Sequence, residues 1–134
     1  MNIRNIHEAE SFTAADGCSI TETFGIPTAK IPEGSVAYAL VPPRVKLFTH
    51  KHTFKEFYII TKGEGRMFLG DEIKEVSPGD NIYIPEGFWH SIENLSDKET
   101  LELYCFCTPA FTLEGTTMRD GSQPKESLER DWKV

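Results

Sequence analysis

Between about residue 36 and residue 108 the chain is a succession of short apolar or alternating segments. Residues 36–41, 57–61 and 66–69 are rich in β-branched and aromatic side chains, while 72–76 and 81–84 alternate polar with apolar. Both patterns predict strands. Turn chemistry separates them at close intervals: Pro42-Pro43, Lys62-Gly63, Gly70-Asp71 and Ser77-Pro78-Gly79-Asp80. Gly70-Asp71 has the two-residue length of a tight hairpin, and Pro78 then Gly79 suits the central positions of a type II turn. Many short strands with turns every eight to twelve residues predict a sandwich or barrel.

The ends read differently. Residues 1–35 carry weaker strand signals, at 11–13 and 19–24 around the turn Asp16-Gly17, and are expected to lie as arms against a barrel of residues 36–110. After Pro109 the chain turns polar. Residues 111–134 are expected to form a tail, with a short helix over 124–132 in which Leu128 and Trp132 share a face.

Composition narrows the class. At 134 residues the chain is the size of one domain, and 39% hydrophobic with 11% aromatic residues suffices for a core without staples. Fourteen basic against 21 acidic side chains give a net charge of −7, a field that repels phosphate backbones and anionic lipid. No nucleic-acid or membrane partner is therefore expected. No apolar run approaches a membrane span, and three cysteines without framework spacing fit the cytoplasm.

Candidate chemistry concentrates in two clusters. Alternate residues of a strand point to one face, so His50 and His52 project side by side, about 7 Å apart along the chain. Glu56 and Tyr58 keep the same parity. Two imidazoles and a carboxylate aimed at one point would chelate a borderline divalent metal, and His90 from a neighbouring strand would supply a third nitrogen. Such a set leaves one or two positions open for water, substrate or dioxygen.

The spacing His50-X-His52-X3-Glu56-X6-Gly63 resembles the first signature of the cupin superfamily. Gly79-X5-Pro85-X-Gly87-X2-His90-X3-Asn94 matches the second at every position. The outer segments, around Thr13-Ala14-Ala15-Asp16-Gly17 and Cys105-Phe106-Cys107-Thr108-Pro109, are similar to small single-domain cupins often labelled mannose-6-phosphate-isomerase-like. One position departs. The family usually has glycine six residues before the first histidine, where this chain has Arg44, and Pro42-Pro43 is expected to supply the turn instead.

The resemblance implies an all-β, double-stranded β-helix (cupin or jelly-roll) barrel. It implies one divalent ion (Fe, Mn, Ni, Co, Cu or Zn) on His50, His52, Glu56 and His90, and pairing of barrels as a homodimer. It does not fix a reaction, because fold does not carry function. The leading expectation is an enzyme of dioxygenase, decarboxylase, isomerase or lyase type acting on a small polar or carboxylate-bearing molecule. The alternative is a non-catalytic binder of a sugar or carboxylate. Continued parity would place Tyr58, as a proton or hydrogen-bond donor, and Ile60 in the pocket. Cys105 or Cys107 would face them from the opposite strand or pack in the core. Phe54, Phe57, Phe88 and Trp89 would form a dry rim or outer packing, and His7 would be solvated.

Overall fold

A computed structural model describes residues 1–134. Its strands are β1 (Phe12–Thr13), β2 (Ser19–Phe24), β3 (Ser35–Val41), β4 (His50–His52), β5 (Lys55–Lys62) and β6 (Gly65–Leu69). They continue with β7 (Glu72–Val76), β8 (Asn81–Ile84), β9 (His90–Asn94), β10 (Leu101–Thr108) and β11 (Thr116–Met118). The single helix, α1 (Ile26–Ala29), is one turn long. Two antiparallel sheets form, in the orders β1-β2-β3-β10-β5-β8 and β11-β4-β9-β6-β7. This is the expected jelly-roll barrel.

Alternation decides which side chains enter the core. Along β5, Glu56, Tyr58 and Ile60 are buried while Lys55 and Phe57 are exposed. Val41, Ile60, Leu101 and Leu103 from one sheet meet Met67, Val76 and Ile92 from the other in a continuous apolar cluster. Burying each such side chain contributes roughly 1.5–3 kcal/mol, which is what holds the sheets face to face. The predicted hairpin joins β6 to β7, with Leu69 opposite Glu72 across Gly70-Asp71. The turn at Ser77–Asp80 closes by the Asp80 amide donating to the Ser77 carbonyl at 3.0 Å, with Gly79 at φ +97° where a side chain would be strained.

Arg44 occupies the turn usually given to glycine and keeps that residue's conformation. The Val45 amide donates to the Pro42 carbonyl at 3.2 Å, so Pro43 and Arg44 are the central pair, and Arg44 sits at φ +63°. Pro43 pre-sets the first position, but the prolines do not remove the left-handed residue. Arg44→Gly is therefore expected to stabilise the protein by about 1 kcal/mol, the usual cost of a side chain there, less the weak exposed Arg44–Asp97 pair at 3.1 Å. A chemical-denaturation midpoint unchanged or lower in the variant would contradict this.

Both ends are built into the barrel. β2 pairs with β3 from Ser19 opposite Leu40 to Phe24 opposite Val36, so residues 19–24 are a full member of the first sheet. β11 pairs with β4, Thr116 opposite His52 and Met118 opposite His50. The expected helix over 124–132 does not form: those residues are extended or bent. Nine residues nucleate a helix poorly, and here the segment bonds outward to the barrel instead. The Ser127 amide donates to the Thr13 carbonyl at 3.0 Å, and the Thr13 amide to Ser127 Oγ at 2.8 Å. No helix is long and apolar enough to cross a membrane.

Candidate metal centre

His50 and His52 share one face of β4, and His90 opens β9 directly opposite His50. Glu56 comes from β5 in the facing sheet. The turn between β4 and β5 is held by the Thr53 amide donating to Gly115 at 2.9 Å, and the Gly87 amide donates to the His52 carbonyl at 2.8 Å. The signature's turns thus place four side chains from three strands at one point. All four are buried, and their ligand atoms lie within 4.8 Å of one another.

The hydrogen bonds fix which ring nitrogens face inward. His50 Nδ1 bonds the Phe48 carbonyl at 2.8 Å and His90 Nδ1 the Phe88 carbonyl at 3.0 Å, so each Nδ1 carries its proton. His52 Nδ1 lies 2.9 Å from Thr116 Oγ1, which itself donates to the Thr112 carbonyl at 2.8 Å. Thr116 must therefore accept from His52 Nδ1–H. Each ring is locked in one tautomer with its Nε2 lone pair directed into the site, the outer-shell arrangement of metal-bound histidines.

Those lone pairs meet a carboxylate. Glu56 Oε1 is 3.3 Å from His52 Nε2 and 3.2 Å from His90 Nε2. Yet Glu56 Oε1 and His90 Nε2 are buried without a hydrogen-bond partner. Orphaned buried acceptors facing one another are costly, and a cation between them removes the cost. Three imidazoles and one carboxylate suit a borderline divalent ion. The residues fit the metal.

Burial, and then the neighbouring His90, lower the His50 pKa to about 4 from an ordinary 6.5. Burial alone would raise the Glu56 pKa, but the neighbouring His52 and His90 outweigh it and hold it well below the carboxylate range. For His50 the unfolded chain binds more protons between about pH 6.5 and 4, so stability rises with pH across that window. The metal-free protein is expected to lose on the order of 3 kcal/mol as pH falls through it. Glu56 adds a further loss below about pH 4.5, the ordinary value it leaves behind. Calorimetry of metal-free protein showing a flat melting temperature from pH 7 to 4 would contradict this.

Three of the four, His50, His52 and Glu56, line a cavity of about 50 Å³, bordered also by Asp16, Glu22, Cys105, Cys107, Phe111, Thr116 and Arg130, while His90 lies behind them. Cys105 and Cys107 are thus at the cavity wall. Cys107 Sγ lies 3.4 Å from Glu56 Oε2, and burial, then the Glu56 charge, push both thiols up, so they stay protonated. Tyr58 and Ile60 do not line the cavity. Their parity is inward as expected, but inward at those positions meets packed core rather than space. Tyr58 lies edge-on to His90 at 6.1 Å between ring centroids, with burial raising its hydroxyl pKa further. Phe54 stacks on His52 at 4.4 Å, whereas Phe57 and Phe88 are exposed and Trp89 lies beneath Lys51 and Arg119. His7 is exposed.

Comparison with known proteins agrees with the geometry. The family described as "Cupin domain" matches residues 37–107, more than half of the chain. The chain belongs to the cupin family. This cupin is 38% identical over 106 residues to the uncharacterized protein MJ1618 of Methanocaldococcus jannaschii, covering 78% of this chain and 84% of that one. Among solved structures it resembles the plu4264 protein of Photorhabdus luminescens, with TM-score 0.68 and 26% identity, covering 81% of this chain and 88% of that one. It also resembles oxalate decarboxylase of Bacillus subtilis, with TM-score 0.73 and 22% identity, covering 87% of this cupin. This cupin spans only 31% of that enzyme's chain, and the likeness there is one of fold.

Asp16, Glu22, Thr116 and Arg130 were not legible as site residues. Thr116-Thr117 is a β-branched pair that hints at a strand, and Asp16-Gly17 reads as a turn. Neither signal says what the residue faces.

Proposed function

We propose that this cupin is a metal-dependent enzyme acting on a small polar or carboxylate-bearing metabolite. The observation that carries the reading is the set of converging, buried ligand atoms, two of them without a hydrogen-bond partner, beside a cavity that His50, His52 and Glu56 line. His50, His52, Glu56 and His90 would hold one divalent ion, which when bound polarises a carbonyl or carboxylate or binds dioxygen. Thr116 holds His52 in its ligating tautomer. Phe54 and Phe111 pack over the His52 ring and exclude water from that side. Manganese centres are named in the oxalate decarboxylase of similar fold, which supports manganese as the first ion to test. A reducing, cytoplasmic setting suits three free cysteines.

A thermal-shift screen of small hydroxy acids, sugars and carboxylates against the metal-loaded protein, followed by NMR of each hit, tests the reading. Conversion of a hit to product is expected. Hits that stabilise the protein yet are recovered unchanged would replace the enzyme with a binding protein.

A homodimer belongs to the same proposal. Its support is an outward row on the first sheet in which Phe106 sits opposite Phe57 and Phe57 opposite Tyr83, beside the pair Tyr104–Tyr38. Phe57 and Tyr83 are 40% and 47% exposed, more apolar surface than a solvated sheet face needs. Sedimentation at micromolar concentration is expected to give twice the chain mass; a clean 15.2 kDa species would refute it.

A further inference from the structure

Besides His50, His52 and Glu56, the cavity wall carries three more carboxylates, Asp16, Glu22 and Glu126, and one guanidinium, Arg130. Arg130 is fully engaged. It donates to both oxygens of Glu126 at 2.8 and 2.7 Å and to Glu22 Oε1 at 2.8 Å, and Glu22 takes a further bond from Thr28. No lysine or arginine compensates Asp16.

Asp16 is nevertheless firmly held. Its carbonyl accepts from the Phe48 amide at 2.8 Å, two residues before the first ligand, and the Gly17 amide closes the turn onto Ala14 at 3.0 Å. Both hydrogen bonds to its carboxylate, from the Cys18 amide at 3.1 Å and Cys18 Sγ at 2.7 Å, fall on Oδ1. Oδ2 is left facing the site, 4.0 Å from His50 Nε2, the nitrogen directed at the metal position. A merely structural turn residue uses Oδ1 in this way. It does not require the second oxygen to border a ligand cavity.

We propose that Asp16 is a specificity-determining residue: its carboxylate favours ligands that carry a hydroxyl or ammonium donor next to their metal-binding oxygen and disfavours those with a second anionic group there. The inference rests on the metal reading of the same site. A divalent ion accepts one anionic oxygen. A hydroxyl or ammonium beside that oxygen donates to Asp16 in a charge-assisted bond, whereas a second carboxylate meets a fixed like charge in a poorly screened cavity.

The test uses cobalt-loaded wild type, Asp16→Asn and Asp16→Ser, with cobalt content measured first. Glycolate and oxalate, matched in size but differing in the second group, are titrated while the cobalt visible absorption is followed. Asparagine keeps an Oδ1 acceptor for the Cys18 amide, and serine supplies the same turn bond should the asparagine variant fail to fold. The ratio of oxalate to glycolate affinity is expected to rise by at least about tenfold in the variants, the size of effect a single nearby charge commonly has. An unchanged ratio would assign Asp16 to its turn alone and overturn the inference, as would wild type whose spectrum responds to neither ligand. Wild type that takes up no cobalt would overturn the metal reading itself, and the inference with it.

Discussion

Arg130→Met is expected to destabilise the protein by about 3–5 kcal/mol, the cost of removing one partner from a buried ion pair. Arg130 bridges Glu22 on β2 and Glu126 on the tail, with the three side chains 10%, 3% and 1% exposed respectively. Its guanidinium also lies 4.2 Å over the ring of Phe12 and 4.9 Å over that of Trp132. Methionine keeps much of the apolar contact but leaves two buried carboxylates without a cation. Burial already raises the Glu22 pKa, against the pull of Thr28 and Arg130, so losing Arg130 would raise it further. A group whose folded pKa exceeds its unfolded value costs stability as pH rises above the unfolded value, here an ordinary 4.5. The deficit of the variant should therefore widen from pH 4.5 to 7, and Glu22→Gln combined with Arg130→Met should recover part of it. Urea unfolding with a loss below about 1 kcal/mol at pH 7 would show that the tail is not anchored through this residue.

Thr116→Val should weaken divalent-metal affinity by about 10- to 100-fold, the usual effect of removing an outer-shell partner. Valine preserves shape and strand preference but neither accepts the His52 Nδ1 proton nor donates to Thr112. The bond that selects the Nε2 lone pair for ligation is then gone, although His52 itself remains. At metal concentrations one hundred times the wild-type dissociation constant, binding contributes about 2.7 kcal/mol to stability. A tenfold weaker site would give up roughly half of that in the variant, and a hundredfold weaker one most of it. Chelator competition and metal-dependent melting measure the two quantities independently. Wild-type affinity in the variant would mean that the tail only covers the centre.

The ligand set was legible in the sequence because its information is local. His50, His52 and Glu56 lie within seven residues, and period-two alternation already orients them. His90 was legible through the turn residues that precede it. Arg44 was legible as a departure, but the backbone it adopts follows from Pro43 and the Val45–Pro42 bond, not from its own preference. Thr116 and Asp16 reach the centre from 64 residues after His52 and 34 before His50, through a three-residue strand and a turn. Such short elements leave almost no periodic signal. Tyr58 and Ile60 mark another boundary. Parity says which face of the sheet a side chain takes, but where packed core gives way to cavity depends on the volumes of side chains from both sheets. The tail shows the same limit, since Leu128 and Trp132 have helical spacing while the segment's bonds are to Thr13 and Glu22.

The central claim is that His50, His52, Glu56 and His90 together hold one divalent ion. Elemental analysis of protein purified without a histidine tag, wild type beside His52→Ala/His90→Ala, tests it most directly. Close to one equivalent of a divalent transition metal per chain in wild type, and none in a double variant that still shows the β-sheet circular dichroism of a folded barrel, is the predicted result. Stoichiometric metal retained by the double variant would contradict it.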